Sequence, residues 1–350
     1  MEVRAVDCCQ DLSGRNSQGV GRRTFLRGML GGAFGALMAS PLPAGAQAKK
    51  IRLAFCSQLL CIVPYEVARA RGHFQAEGLD VELIYTRGGT AAMQAMIGGA
   101  VEYAATSFDV ALSAFARGAQ VRRFASTGRL PLFALATSPS RAREIPSLKE
   151  LEDRTVGVSA LGNADHVLAL YLLKQAGADV RKVRFAILGP NLFDALRLGQ
   201  IDAGMVQEPA LSLLAESGAR VLMNAMDLED ARKHLGGPYE FMGVAFRAGE
   251  REARLEEMRR LARALEKGLQ ATHALPAAAV ADALPKEAIA GGDKARIVAI
   301  LERYRGSLYP SGVKIDVEAC VRVADSQKAA GILGADVDAR KVLDLSIAGS

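Results

Sequence analysis

The sequence predicts an α/β protein of two like-built lobes, each a mainly parallel sheet flanked by helices, with a ligand cleft between them. Three observations lead there. Residues 64–106 read as helix, strand, helix, strand, and a βαβ connection forces a crossover and therefore parallel pairing. Residues 155–206 repeat that order of elements. The landmarks repeat too: Gly78-Leu79-Asp80-Val81 is matched by Gly177-Ala178-Asp179-Val180, and Gly99-Ala100-Val101-Glu102 by Gly199-Gln200-Ile201-Asp202.

Residues 1–48 read as an export signal. Gly21-Arg22-Arg23-Thr24-Phe25-Leu26-Arg27 is a twin-arginine start, and a weakly apolar, Gly-rich run to Ser40 follows it. That run is shorter than the roughly 20 residues of a membrane span. Small residues close the segment, with cleavage expected after Ala48 or Ala46.

The first strand covers Lys49 to Phe55, with Ile51, Leu53 and Phe55 on one face. A loop from Cys56 to Val63 is expected, and Pro64 suits the first turn of a helix ending at Gly72. Val81, Leu83 and Tyr85 alternate with polar neighbours and mark a strand. Arg87-Gly88-Gly89-Thr90 opens a helix that Gly98-Gly99 closes, and Val101 to Ala105 is the next strand. A helix over 110–117 and a strand over 121–126 follow. Leu132 to Thr137 is β-like and leads into a turn-rich hinge. In the second lobe the expected strands are 155–159, 183–188, 201–206 and 219–223, with helices over 165–176, 192–198 and 210–217. Asp227 to Leu235 is polar and reads as irregular. Phe241 to Phe246 is a strand that returns to the first lobe. A long amphipathic helix (250–275) and shorter helices complete the chain. The domain expectation is an export signal (1–48), a first lobe (49–138 plus 241–350) and a second lobe (139–240).

Composition narrows the functions. Formal net charge is +6 over 350 residues; losing residues 1–48 removes five Arg and three acids and leaves +4. No Lys/Arg cluster sits on one element, so nucleic acid is not an expected partner. With no Trp, a Trp cage for a quaternary amine is unexpected. The four histidines are scattered, and no metal-ligand spacing occurs. No nucleophile-elbow, phosphate-loop, dinucleotide or zinc-protease motif is present. No catalytic residue, metal or cofactor is therefore expected. After signal removal Cys56, Cys61 and Cys320 remain. A Cys56–Cys61 bridge is open, but folding in a reducing compartment before export favours free thiols.

Residues 65–106 resemble the first lobe of periplasmic solute-binding proteins of ABC importers, in the nitrate, sulfonate, taurine and thiamine-precursor group. The resemblance rests on Gly72-His73-Phe74, Gly78-Leu79-Asp80-Val81, Arg87-Gly88-Gly89-Thr90 and Gly99-Ala100-Val101-Glu102. It implies a type II periplasmic binding fold, with the C-terminal helices packed outside the first lobe. It also implies a periplasmic receptor, exported by the twin-arginine route, that hands a small molecule to an ABC permease and ATPase.

Parallel sheets bind ligands beyond the carboxyl ends of their strands, which singles out candidate contacts. Gly88, Gly89 and Thr90 form a turn whose amides can approach a ligand closely. Ser57 and Gln58 are the polar members of the first loop, and Tyr65 offers an aromatic face. Ser107 and Asp109 follow the third strand, and each is also a cap candidate. Arg87 and Arg129 could pair with an acidic ligand. In the second lobe Asn163 and His166 sit at a helix start, Asn191 in a turn, and Glu208 beside Pro209. The resemblance supports the His166 and Glu208 positions, because those loops border the site in the family.

The expected function is capture of a small organic acid, sulfonate or heterocycle by hinge closure. The alternative is an enzyme on the same fold, such as a thiamine-pyrimidine precursor synthase. The fungal synthase uses a Cys-rich motif that this chain lacks. A regulator's sensor domain would need a DNA-binding segment, and none is read at the N-terminus.

Overall fold

Among the described residues the strands form two five-stranded sheets. The computed structural model describes residues 49–289 and 293–348, so the expected export signal lies outside the described residues. The first sheet holds β1 (Lys49–Cys56), β2 (Leu79–Thr86), β3 (Tyr103–Ser107), β4 (Val121–Ser126) and β10 (Met242–Arg247), in the order β2-β1-β3-β10-β4. The second holds β5 (Ala134–Thr137), β6 (Thr155–Val158), β7 (Arg184–Ile187), β8 (Ala203–Val206) and β9 (Val221–Asn224), in the order β7-β6-β8-β5-β9. In each sheet the first strand of the βαβ series pairs in parallel with two neighbours. In each, one strand runs antiparallel between two others: β10 in the first sheet and β5 in the second. The internal repeat in the sequence thus corresponds to one sheet plan used twice.

The helices follow the alternation. In the first lobe they are α1 (Leu59–Ala70), α2 (His73–Ala76), α3 (Gly89–Ile97) and α4 (Phe108–Ala116). In the second they are α5 (Ala164–Gln175), α6 (Leu192–Arg197), α7 (Ala210–Glu216) and α8 (Leu228–Leu235). The C-terminal set is α9 (Arg251–Ala274), α10 (Ala277–Asp282), α11 (Lys286–Ile289), α12 (Lys294–Leu308) and α13 (Val317–Ala330). No helix among the described residues is long and apolar enough to cross a membrane. The centre of the first sheet is fully buried: Leu53, Ala54 and Phe55 on β1 lie beside Tyr103, Ala104 and Ala105 on β3. Such two-faced burial is what a parallel sheet covered by helices requires. Gly268 on α9 lets that helix approach α1, because a Cβ there would lie 2.8 Å from the Pro64 carbonyl oxygen and from the Ala68 Cβ.

The chain passes between the sheets after β4 and again before β10, and the two passages are bonded to each other. Thr127 N–H donates to the Met242 carbonyl at 2.8 Å, Phe241 N–H to Gly128 at 2.9 Å and Tyr239 N–H to Arg129 at 2.9 Å. Arg123 braces them from below. Its guanidinium donates to the Phe241 carbonyl at 2.8 Å and to Glu240 Oε1 at 3.1 Å, and both side chains are buried.

Five local expectations change. The first helix begins at Leu59, not Pro64, because the apolar run Leu59–Val63 is buried as a helical turn. The 132–137 stretch does not end the first lobe: β5 pairs with β8 and β9 inside the second sheet, so the first passage precedes it. Asp227–Leu235 is not irregular. Asp227 accepts hydrogen bonds from the Glu229 and Asp230 amides and caps α8. Cys56 and Cys61 form a disulfide instead of standing as free thiols, and Cys320 is free and buried. The C-terminal helices reach both lobes. From α13, Gln327 donates to the Asp109 carbonyl at the start of α4, and the Ala329 carbonyl accepts from Lys174 on α5. From α12, Tyr304 accepts from Asn224 on β9.

Candidate functional site

The carboxyl ends of both sets of parallel strands meet at one cleft, as strand polarity dictates. Its first part, about 40 Å³, is walled by the first lobe (Gln58, Gly88, Gly89, Thr106, Ser107 and Val110), by the Cys56–Cys61 bridge, and by Ser159, Asn163 and Asp165 of the second lobe. Phe133 and Phe241, flanking the passages, and Met242, the first residue of β10, complete the wall. Its second part, about 190 Å³, extends along the second lobe past Leu192, Phe193, Met205, Gln207 and Glu208. Gln58, Phe133, Ser159 and Asp165 line both parts, so they are one continuous cleft.

Hydrogen bonds tie the lobes across it. The Thr90 hydroxyl donates to Asn163 Oδ1 at 2.7 Å. Asn163 Nδ2 donates to Ser159 Oγ at 3.0 Å, and Ser159 Oγ donates to Asp165 Oδ1 at 2.8 Å. A four-residue chain thus runs from one lobe to a buried carboxylate of the other. Burial pushes the Asp165 carboxyl above its usual range, while the Ser159 amide and hydroxyl pull it back. A second tie joins Gln207 Nε2 to Gln58 Oε1.

Four helices start at the first part of the cleft: α1 after Gln58, α3 after Gly88, α4 after Ser107 and α5 after Asn163. None of these four cap residues bonds its own helix through its side chain. Their first-turn N–H groups are the donors that a helix leaves unpaired. Gly89 is needed for space: a Cβ there would lie 2.1 Å from Thr106 Oγ1. Thr106 lines the cleft wall, and its hydroxyl is buried with no hydrogen-bond partner among the described residues. Gly88, with φ of 98°, holds a backbone conformation that favours glycine. Glu208, joined to Pro209 by a cis peptide bond, accepts from the Ser212 amide at 3.1 Å and hydroxyl at 3.0 Å.

Of the fourteen candidate residues, Gln58, Gly88, Gly89, Ser107, Asn163 and Glu208 line the cleft, and Thr90 bridges it. The other seven lie elsewhere. Tyr65 is buried under the sheet, stacked on Phe55 and bonded to Thr127. Asp109 is buried in the opposite direction, accepting from Tyr239 and Gln327, and it caps no helix through its side chain. Arg129 is occupied by the carbonyls of Gly306 and Ser307, in a separate groove with His273 and Tyr309. Arg87, Ser57 and Asn191 are exposed outside both parts of the cleft. His166 folds back on its own loop. Its Nδ1 accepts from the Gly162 amide at 3.1 Å, its ring meets Phe185 edge-on at 4.8 Å, and burial lowers its pKa.

Sequence reasoning missed Thr106, Ser159, Gln207 and the Asp165 carboxylate as wall groups. Three of them sit at or just past the end of a parallel strand: Thr106 on β3, Ser159 after β6 and Gln207 after β8. That position was the available signal.

A family model described as NMT1/THI5 like matches residues 61–279. No curated protein matches the chain. Among solved structures, a protein from Bordetella bronchiseptica RB50 is 25% identical, with a TM-score of 0.77 over 86% of this chain and 96% of that one. The Candida albicans CA3427 gene product, described as having the generic periplasmic binding protein structural fold, is 17% identical (TM-score 0.66, covering 84% and 96%). The alkanesulfonate-binding protein SsuA from Xanthomonas axonopodis pv. citri, bound to MOPS, is 18% identical (TM-score 0.66, covering 86% and 100%). The two like-built sheets and their shared cleft are therefore the two lobes of that fold.

Proposed function

The chain belongs to the NMT1/THI5-like family, and from that premise we propose that it is the solute-binding receptor of an ABC-type importer. It clamps one small organic molecule between its lobes and presents the closed form to a permease and ATPase. The observation that carries this reading is the pair of ties, Thr90 to Asn163 and Gln58 to Gln207, that join opposite lobes over a walled cleft. A hinge of two passages, with recognition groups on both sides of the gap, is the architecture of ligand-driven closure. The twin-arginine start at Arg22-Arg23 supports periplasmic work after export. The binding activity of the SsuA structure, which shares the fold, also favours capture over turnover.

A thermal-shift screen of the purified mature protein against metabolites, followed by X-ray scattering with each hit, tests the proposal. The expected result is at least one compound that raises the melting temperature and compacts the particle. A silent screen at millimolar concentrations, or conversion of a bound compound to product by the protein alone, would overturn it.

A further inference from the structure

The charge of the cleft wall narrows the ligand, given the receptor reading above. Among the described residues no Lys, Arg or His lines either part. Two carboxylates do: Asp165 at the junction and Glu208 in the second part. Each takes two hydrogen bonds from one serine, Ser159 or Ser212. An ionised carboxylate has about four acceptor sites; Glu208, which the Tyr304 hydroxyl also faces, keeps room for another donor, while the α5 amides of Asp165 and His166 take up part of what Asp165 has left. An anion placed between them would have helix N-termini as its main counter-charge. At the start of α5 that role is already filled by Asp165 in the first turn.

The other end of the cleft asks for an acceptor atom. Thr106 is 1% exposed and lines the wall, and its buried hydroxyl has no partner among the described residues. The α3 N-terminus beside it carries no side-chain cap. Between the two ends apolar side chains share the wall with Gln58 and Ser159. Phe133 and Phe241 meet edge to face at 5.8 Å, and Leu192, Phe193 and Met205 lie on the far side.

We propose that the cleft takes an amine or amidine on an apolar body and rejects sulfonates, carboxylates and nitrate. Asp165 and Glu208 hold the N–H head, and Thr106 with the Gly89 turn holds an uncharged acceptor.

Calorimetry on the mature protein tests this with charge-reversed pairs: benzamidine and phenethylamine against benzoate and benzenesulfonate, with nitrate alongside. Benzamidine or phenethylamine is expected to bind at least about tenfold more tightly than any of the anions, the effect of one charge-assisted bond. Glu208→Gln should weaken the cationic probe about tenfold. Asp165 also fixes the Ser159 loop, so Thr106→Val provides a second variant with the fold intact. It should match or exceed the parent in melting temperature, because the lost hydroxyl has no partner, and it should still weaken binding of an acceptor-bearing hit such as a hydroxylated phenethylamine. Tighter binding of an anion, with compaction, overturns the inference and leaves the receptor reading standing. Silence from cations and anions alike overturns the inference, and the metabolite screen then judges the receptor reading separately.

Discussion

Thr90 and Asn163, 73 residues apart, are joined across the cleft by a 2.7 Å hydrogen bond. Asn163 in turn donates to Ser159, whose hydroxyl donates to Asp165. Closure of the lobes is thereby connected to the orientation of a carboxylate in the cleft wall.

Thr90→Ala and Asn163→Ala should each open the ligand-free protein, seen as a larger radius of gyration in scattering. A double-mutant cycle on ligand affinity should give a coupling of about 0.5–1.5 kcal/mol. Strict additivity would mean that the bond contributes nothing to the closed state.

Gly89→Ala should destabilise the fold by about 1–3 kcal/mol, as overpacking does. The backbone at Gly89 is not in the left-handed region, and the severe clash is with the Thr106 hydroxyl at 2.1 Å, the Thr106 Cβ being next at 3.3 Å. Adding Thr106→Ala should therefore restore most of the loss in denaturant unfolding. Failure of that rescue would place the strain in the backbone.

Arg123→Met leaves the Glu240 carboxylate buried without its partner. Breaking such a pair from one side costs about 3–5 kcal/mol. The double variant Arg123→Met/Glu240→Leu should cost less than the single one. Urea midpoints of the three proteins decide between this and a pair that merely fills space.

Asp109 gives the protein a pH dependence of known sign. Burial raises its carboxyl to about 6 against the hydrogen bonds from Tyr239 and Gln327. The unfolded value is near 3.9, so the folded form holds the extra proton between the two. Its contribution to stability is complete below about pH 4 and is lost as pH rises through 6. Melting temperature should fall from pH 5 to pH 7.5, and Asp109→Asn should flatten that slope. An unchanged slope in the variant would assign it to another group.

The fold was legible because βαβ units announce themselves through period and punctuation. Glycines with positive φ at Gly78, Gly99, Gly177 and Gly199 stand where the landmarks repeat. β5 was readable as β-like, but its place in the second sheet was not, because three alternating small and large apolar residues and a threonine between turns do not say which sheet they join. The true start of α1 escaped because Pro64, at the sixth position, imitates a first-turn proline. At the site, backbone position was readable and side-chain direction was not. Gly88, Gly89, Ser107 and Asn163 were found from their place after strands. Tyr65, Asp109 and Arg129 point to partners 62, 130 and 178 residues away in sequence: Thr127, Tyr239 and Ser307 at the end of α12. No local pattern encodes such pairings.

The antiparallel strand within each sheet governs how the gene can be dissected. β5 precedes the rest of its sheet in the chain, and it lies between β8 and β9. A fragment starting at residue 139 would lack that strand and leave β9 with no neighbour, whereas one starting ahead of Ala134 would keep the sheet whole. A fragment ending before Met242 would remove β10 and strand β4 in the same way. Split versions of this protein should therefore be joined back by co-expression only when both cuts spare these two inserted strands.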